Sequence, residues 1–194
     1  VIDIAPDATL YIANAKSRGD LQSIASWMVS QGVQVINMSL GWGWDGPGDG
    51  TSPFSVSPVK TVDSTVAAGA LWVNSAGNAA RTSWFGAYSD TDGDSWIEFS
   101  PDNRVNSLSL FAGQTLIVQA RWDDDWGNAS KDFDLVLFDA DLVAKASSEN
   151  RQSGASGQYP FEGISYAVSV TGTYHLAIFH FGGAAPSRLQ LNAL

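Results

Sequence analysis

Cysteine is absent, which removes disulfides, thiol catalysis and thiolate metal sites. Histidine is scarce: His175 and His180 are the only two, too few for a histidine-rich metal centre. Charge is sparse at 15% of residues, and only 10 Lys and Arg stand against 20 Asp and Glu. The resulting formal charge of -10 repels phosphate backbones, so no nucleic-acid partner is expected. No apolar run approaches the ~20 residues of a membrane span. The opening Val1-Ile2-Asp3-Ile4 carries no basic leader region or cleavage site, and the chain starts in mid-pattern, as an internal piece would. What is abundant is apolar surface. Hydrophobic residues make up 44% of 194 residues, enough for one large domain or two small ones and too many for a disordered acidic tail.

The two halves differ in character. Residues 1–80 hold six acidic and three basic residues and no Glu, whereas 81–194 hold fourteen acidic and seven basic. A boundary is expected near Ala79–Trp84, where the hydrophobic period also changes. The first half alternates strand and helix. Ala8 to Ala13 reads as a short strand. Leu21, Ile24, Ala25 and Met28 then recur at helical spacing between Ser17 and Gln31. Ser17 or Asp20 suits the start of that helix and Gly32 its end. Val33 to Ser39 is a β-branched strand, and the Gly-rich 41–51 must be loop. Ser57-Pro58 opens a second helix that Gly69 ends, and Leu71 to Asn74 is a third strand. Such alternation predicts an α/β parallel sheet whose functional groups lie beyond the strand C-termini, at Ser39-Leu40-Gly41 and Ser75-Ala76-Gly77-Asn78.

The second half has no helical period. Residues 96–99, 107–111, 115–122, 133–138, 164–170 and 173–181 read as strands, with glycines between them. Short strands at this spacing predict an all-β antiparallel sandwich over 81–194.

Val35-Ile36-Asn37-Met38-Ser39-Leu40-Gly41 followed by Ser75-Ala76-Gly77-Asn78 resembles the subtilisin-like serine peptidases, and the order of elements agrees over roughly residues 1–80. The resemblance implies that Ser39, Leu40 and Gly41 line the substrate cleft, with Ser75, Ala76 and Gly77 as a second substrate-binding segment. A substrate backbone would pair with this wall. It makes Asn78 the oxyanion-hole donor. A neutral amide fixed before the reaction stabilises the developing negative oxygen without adding a titrating group. The family's Asp, His and Ser follow in that order, and the Ser stands in Gly-Thr-Ser-x-Ala-x-Pro after the Asn turn. No such stretch follows Asn78, and neither histidine has the family's His-Gly-Thr context. Phe111-Ala112-Gly113-Gln114-Thr115-Leu116, Asp132 to Asp139 and Gly172-Thr173-Tyr174-His175-Leu176 are similar to the bacterial pre-peptidase C-terminal sandwich. The implied arrangement is a jelly-roll-like domain inserted in the catalytic domain.

Two acidic clusters stay open between readings. Asp90, Asp92 and Asp94 with Glu98 alternate as Ca²⁺ loops do, although the EF-hand frame fails at Pro101. Asp123, Asp124, Asp125, Asp132 and Asp134 form the other. Each is either a Ca²⁺ site or a solvated acidic loop, with no metal ligand assigned. Trp42 and Trp44 either line a cleft or shield a core edge, and Trp84, Trp96, Trp122 and Trp126 belong to the sandwich core or rim.

The expected function is thus an internal segment of a secreted, bacterial subtilisin-like serine endopeptidase, inactive alone for want of its triad. It needs no cofactor for chemistry. Its expected partners are a protein or peptide substrate and the remaining parts of the same precursor. The competing expectation is a non-catalytic β-sandwich module that binds calcium or substrate.

Overall fold

The chain divides into two compact units, Val1–Gly77 and Asn78–Leu194, and the computed structural model describes residues 3–78 and 82–194. The boundary expected near Ala79–Trp84 falls partly on residues 79–81, outside the described residues.

In the first unit, helix α1 spans Arg18–Ser30. Ser17 and Asp20 start it together. The Asp20 amide donates to Ser17 Oγ at 3.1 Å, while the Ser17 amide donates to Asp20 Oδ2 at 3.0 Å, so two otherwise unpartnered donors are satisfied reciprocally. The helix stops where Gly32 takes φ 75°, a conformation that side chains resist and glycine accepts. Strand β1 (Val35–Met38) pairs in parallel with β2 (Leu71–Asn74), in register from Val35↔Leu71 to Met38↔Asn74. Helix α2 (Pro58–Ala67) makes the crossover, with Ser57 Oγ accepting from the Val59 amide at 3.1 Å and Pro58 in the first turn. Along β1 the pleat alternates: Ile36 and Met38 are buried, and Val35 is 57% exposed. Residues 8–13 form no strand, contrary to the sequence expectation. A strand exists only through its ladder, and the sheet of the first unit contains β1 and β2 alone among the described residues.

The second unit holds two antiparallel four-stranded sheets. One is ordered β3 (Ser83–Ala87), β10 (Arg188–Ala193), β5 (Thr115–Trp122), β8 (Phe161–Ala167). The other is β4 (Asn106–Leu110), β9 (Gly172–Gly182), β6 (Asp132–Asp139), β7 (Ala144–Ser148). Chain order crosses between the sheets at every step except from β6 to β7, which pair as neighbours in one sheet. Leu116, Val118 and Leu191 of the first sheet meet Phe133, Leu135, Leu137 and Leu176 of the second in one core. The expected strand 96–99 is reduced to a bridge, Trp96↔Phe179, because Ser95 turns at φ 71° and Phe99 pairs its amide with Asn103 O in a tight turn. Strands β3, β7 and β10 have no counterpart in the sequence reading. Leu189 and Leu191 supply the alternation that marks β10. β7, Ala-Lys-Ala-Ser-Ser, has no β-branched residue and exists through its pairing with β6.

Candidate functional site

The parallel register decides where the two motifs meet. Met38 and Asn74 are the last paired residues, and the Ser75 amide donates to Met38 O at 3.0 Å. Ser39-Leu40-Gly41 and Ser75-Ala76-Gly77 therefore leave the sheet side by side, at the C-terminal end where parallel sheets carry function. All six residues are exposed, Leu40 at 45%. The Asn74 side-chain amide donates to Ser75 O at 2.8 Å and pins the second segment. Gly77 has φ 78°, and a Cβ there would meet nothing within 4 Å, so backbone conformation rather than space demands glycine. Asn78 follows directly in the chain and is exposed. Two adjacent exposed segments of the first unit offer backbone donors and acceptors to an extended peptide.

No histidine occurs in residues 1–77. Both histidines lie on β9 of the sandwich. His180 Nδ1 is 3.1 Å from Tyr88 OH, its Nε2 is 3.0 Å from Gly182 O, and its ring stacks on Phe133 at 4.5 Å, an arrangement that holds it in the core edge. His175 Nδ1 shares a 2.8 Å hydrogen bond with Ser107 Oγ on an exposed face. A Gly50-Thr51-Ser52 tripeptide, not singled out from the sequence, precedes the Asn turn instead of following it. Ser52 Oγ donates to Asp45 O at 2.7 Å and accepts from the Phe54 amide at 3.3 Å, so it closes the Gly-rich loop. Gly46 fits that closure because a Cβ there would lie 2.4 Å from Thr51 O. The cap of α2 is Ser57, and Ser52 heads no helix. Trp42 and Trp44 in this loop are half-buried.

Among the acidic residues, Asp90, Asp92 and Asp94 bring oxygen atoms within 4.8 Å of one another. Each already has protein partners. Asp90 accepts from the Gly93 and Ser95 amides at 2.9 and 3.2 Å, and the Arg104 guanidinium pairs with both Asp92 and Asp94. Glu98 accepts from the Ser89 and Thr91 hydroxyls at 2.7 and 2.6 Å, and these bonds, led by Thr91, hold its carboxyl below the usual range. In the other cluster, Asp124 Oδ2 accepts two amides, those of Ser130 and Lys131, at 2.7 Å each. Asp123 binds the Arg188 amide at 3.0 Å and Ser187 Oγ at 2.8 Å. Asp123 and Asp124 thus tie down loops. Asp134 is the exception: burial, with Asp132 and Glu149 nearby, pushes its carboxyl up to about 6.

A carboxylate that sequence reasoning missed is Glu162 on β8, which is fully buried. It accepts from Ser148 Oγ, from the Asn150 amide at 2.9 Å, from Asn150 Nδ2 at 2.7 Å and from Gln152 Nε2 at 2.9 Å, and burial still raises its pKa. The only signal in the letters is a lone Glu inside an aromatic strand.

The subtilase family model matches residues 1–174. Asp-hemolysin of Aspergillus fumigatus is 26% identical over 151 residues, covering 73% of this chain and 94% of its own. Among solved structures, the CspB protease of Clostridium perfringens aligns with 96% of this chain at a TM-score of 0.59 and 12% identity, and the chain spans 42% of that protease. The pre-peptidase C-terminal domain of a Bacillus anthracis collagenase aligns with 58% of this chain and 88% of its own, at a TM-score of 0.40 and 11% identity.

Proposed function

We propose, for a chain that belongs to the subtilase family, that it is a segment of a secreted subtilisin-like serine endopeptidase. The first unit is then part of the α/β catalytic domain, and the sandwich is an insertion after the oxyanion asparagine. The observation that carries this reading is the Ser75 amide bonded to Met38 O at 3.0 Å, which sets both motifs at one end of the β1–β2 pair.

An extended substrate lies between Ser39-Leu40-Gly41 and Ser75-Ala76-Gly77 and pairs with their backbone groups. Asn78 donates its side-chain N–H to the carbonyl oxygen as it gains charge, and because the amide is neutral this donation does not depend on pH. Proton transfer and nucleophilic attack need a histidine beside an activated serine. Residues 1–77 hold no histidine, so other parts of the precursor supply the triad.

The test uses the full-length precursor. Labelling with a fluorophosphonate and peptide mapping should place the modified serine outside these 194 residues. Labelling of Ser52 or Ser75 overturns the segment reading. Asn78→Ala in that precursor should lower kcat by about 10²–10³ at little change in KM, the loss known for subtilisin itself. The gathering of Asp90, Asp92 and Asp94 favours a second reading, a calcium-holding module. Arg104 competes with a cation there, and calorimetric titration with CaCl₂ separates the two: no heat removes the calcium module.

A further inference from the structure

The sandwich contains a cavity of about 480 Å³ that none of the chemistry above uses. It opens on the flank where β3 and β4 end their respective sheets, and every lining residue belongs to the second unit. Leu108, Leu110, Leu116, Leu176 and Leu191 form its floor and Trp84 stands in its wall. Leu108 and Leu110 point toward the core yet are only partly buried, so the core is unsealed at this place. Collapse is resisted by the walls. β10 pairs with both β3 and β5, and Ile117 and Leu194 exchange two backbone bonds of 2.9 and 2.8 Å. The volume lies within the roughly 300–1,000 Å³ of preformed ligand clefts.

Two further features narrow the occupant. Among the described residues the lining contains no charged side chain, in a chain of formal charge -10. A charged group entering would lose water without gaining a partner, which disfavours it strongly. At the mouth, β4 is the terminal strand of its sheet and pairs only with β9 among the described residues. Its other edge presents backbone donors and acceptors, a template for a further strand.

We propose that the free edge of β4 and this cavity capture an extended, uncharged polypeptide segment by strand addition. The incoming backbone pairs with β4. Its side chains alternate, so every second one enters the leucine floor while the others face solvent. Aliphatic residues at alternate positions are therefore the recognised chemistry. This capture is independent of the role given to Asn78.

The test uses the whole chain and a fluorescent probe, acetyl-Thr-Leu-Thr-Leu-Thr-amide, read by anisotropy. Saturable binding is expected, and replacing both leucines of the probe by lysine should weaken it at least tenfold. Two versions methylated on alternate amide nitrogens, offset by one residue, should differ at least tenfold, because only one edge of the probe meets β4. Leu108→Gln should also weaken binding at least tenfold with the thermal midpoint checked alongside; if that variant does not fold, the probe series on the parent chain decides alone. Equal binding of both methylated probes means that the cavity takes an apolar group without strand pairing and overturns the proposal. So does tight binding of the lysine probe, undiminished binding of the leucine probe to a folded Leu108→Gln chain, or no saturable binding at all.

Discussion

In the sandwich, Ile97, Val118, Phe133, Leu135, Leu137 and Leu176 have no exposed surface, while the first unit leaves Val35, Leu71 and Val73 at 57%, 59% and 44% exposure on its two-stranded sheet. Among the described residues the sandwich encloses its core between eight strands everywhere but beside β4; the first unit has two strands and two helices with which to do so. The candidate substrate-binding segments, Ser39-Leu40-Gly41 and Ser75-Ala76-Gly77, lie on the less complete unit. A cleft assembled from several strand ends needs neighbours, and a parallel sheet is stable when both faces are covered. The exposed face of β1 and β2 is what the proposed segment reading expects, with the covering elements elsewhere in a precursor.

The largest test of that contrast is a pair of substitutions. Leu137→Ala should cost about 2–5 kcal/mol in chemical denaturation of the chain, the usual range for emptying a sealed core position. Leu71→Ser should change stability by less than about 0.5 kcal/mol, because that side chain is already in water. If Leu71→Ser costs as much as Leu137→Ala, the first unit is as closed as the second and the contrast disappears.

Next in size is Glu162→Ala, about 1–3 kcal/mol, since it leaves the buried Gln152 side-chain amide without its acceptor and releases Asn150. The loss should appear as faster proteolysis between β7 and β8, where those donors sit. A smaller effect, about 1 kcal/mol, is expected for Ser57→Ala, which removes the acceptor that starts α2. Circular dichroism should show this loss at lower denaturant than the sandwich transition. Coincident transitions would mean that the two units unfold together.

What the sequence made legible followed from local rules. The caps Ser17 and Ser57, the stops Gly32 and Gly69, and β2 all depend on residues within a few positions of themselves. The alternation of strand and helix in the first half likewise assigns Ser39 and Ser75 to one sheet end from the letters alone. What was illegible depends on distant partners. Residues 8–13 have strand letters and no ladder; β7 has a ladder and no strand letters. Glu162 owes its importance to Ser148, Asn150 and Gln152, whose approach only the jelly-roll crossing creates. The leucine cavity is of the same kind: each of its residues reads as ordinary core, and only the sheet order shows that the core is open beside β4.

The subtlest expectation concerns charge within the well-closed unit. On β6 the side chains alternate, with Phe133, Leu135 and Leu137 inward and Asp134 on the opposite face. Burial, with Asp132 and Glu149 close by, raises the Asp134 carboxyl to about 6 from an ordinary 3.8. The folded state therefore holds the proton more tightly than the unfolded chain. That contribution is complete below about pH 3.8, fades as pH rises through about 6, and is gone above it. At full strength the displacement would be worth about 3 kcal/mol, and solvent screening of a half-exposed group reduces it to about 1 kcal/mol. Asp134→Asn resembles the protonated form at every pH. It should raise the thermal midpoint by about 3 °C at pH 8, and the gain should shrink toward zero as pH falls from 6 to 4. A gain that does not change with pH would mean that packing, and not the carboxylate's charge, sets the cost, and that the sandwich tolerates this acid as easily as the open unit tolerates its exposed leucines.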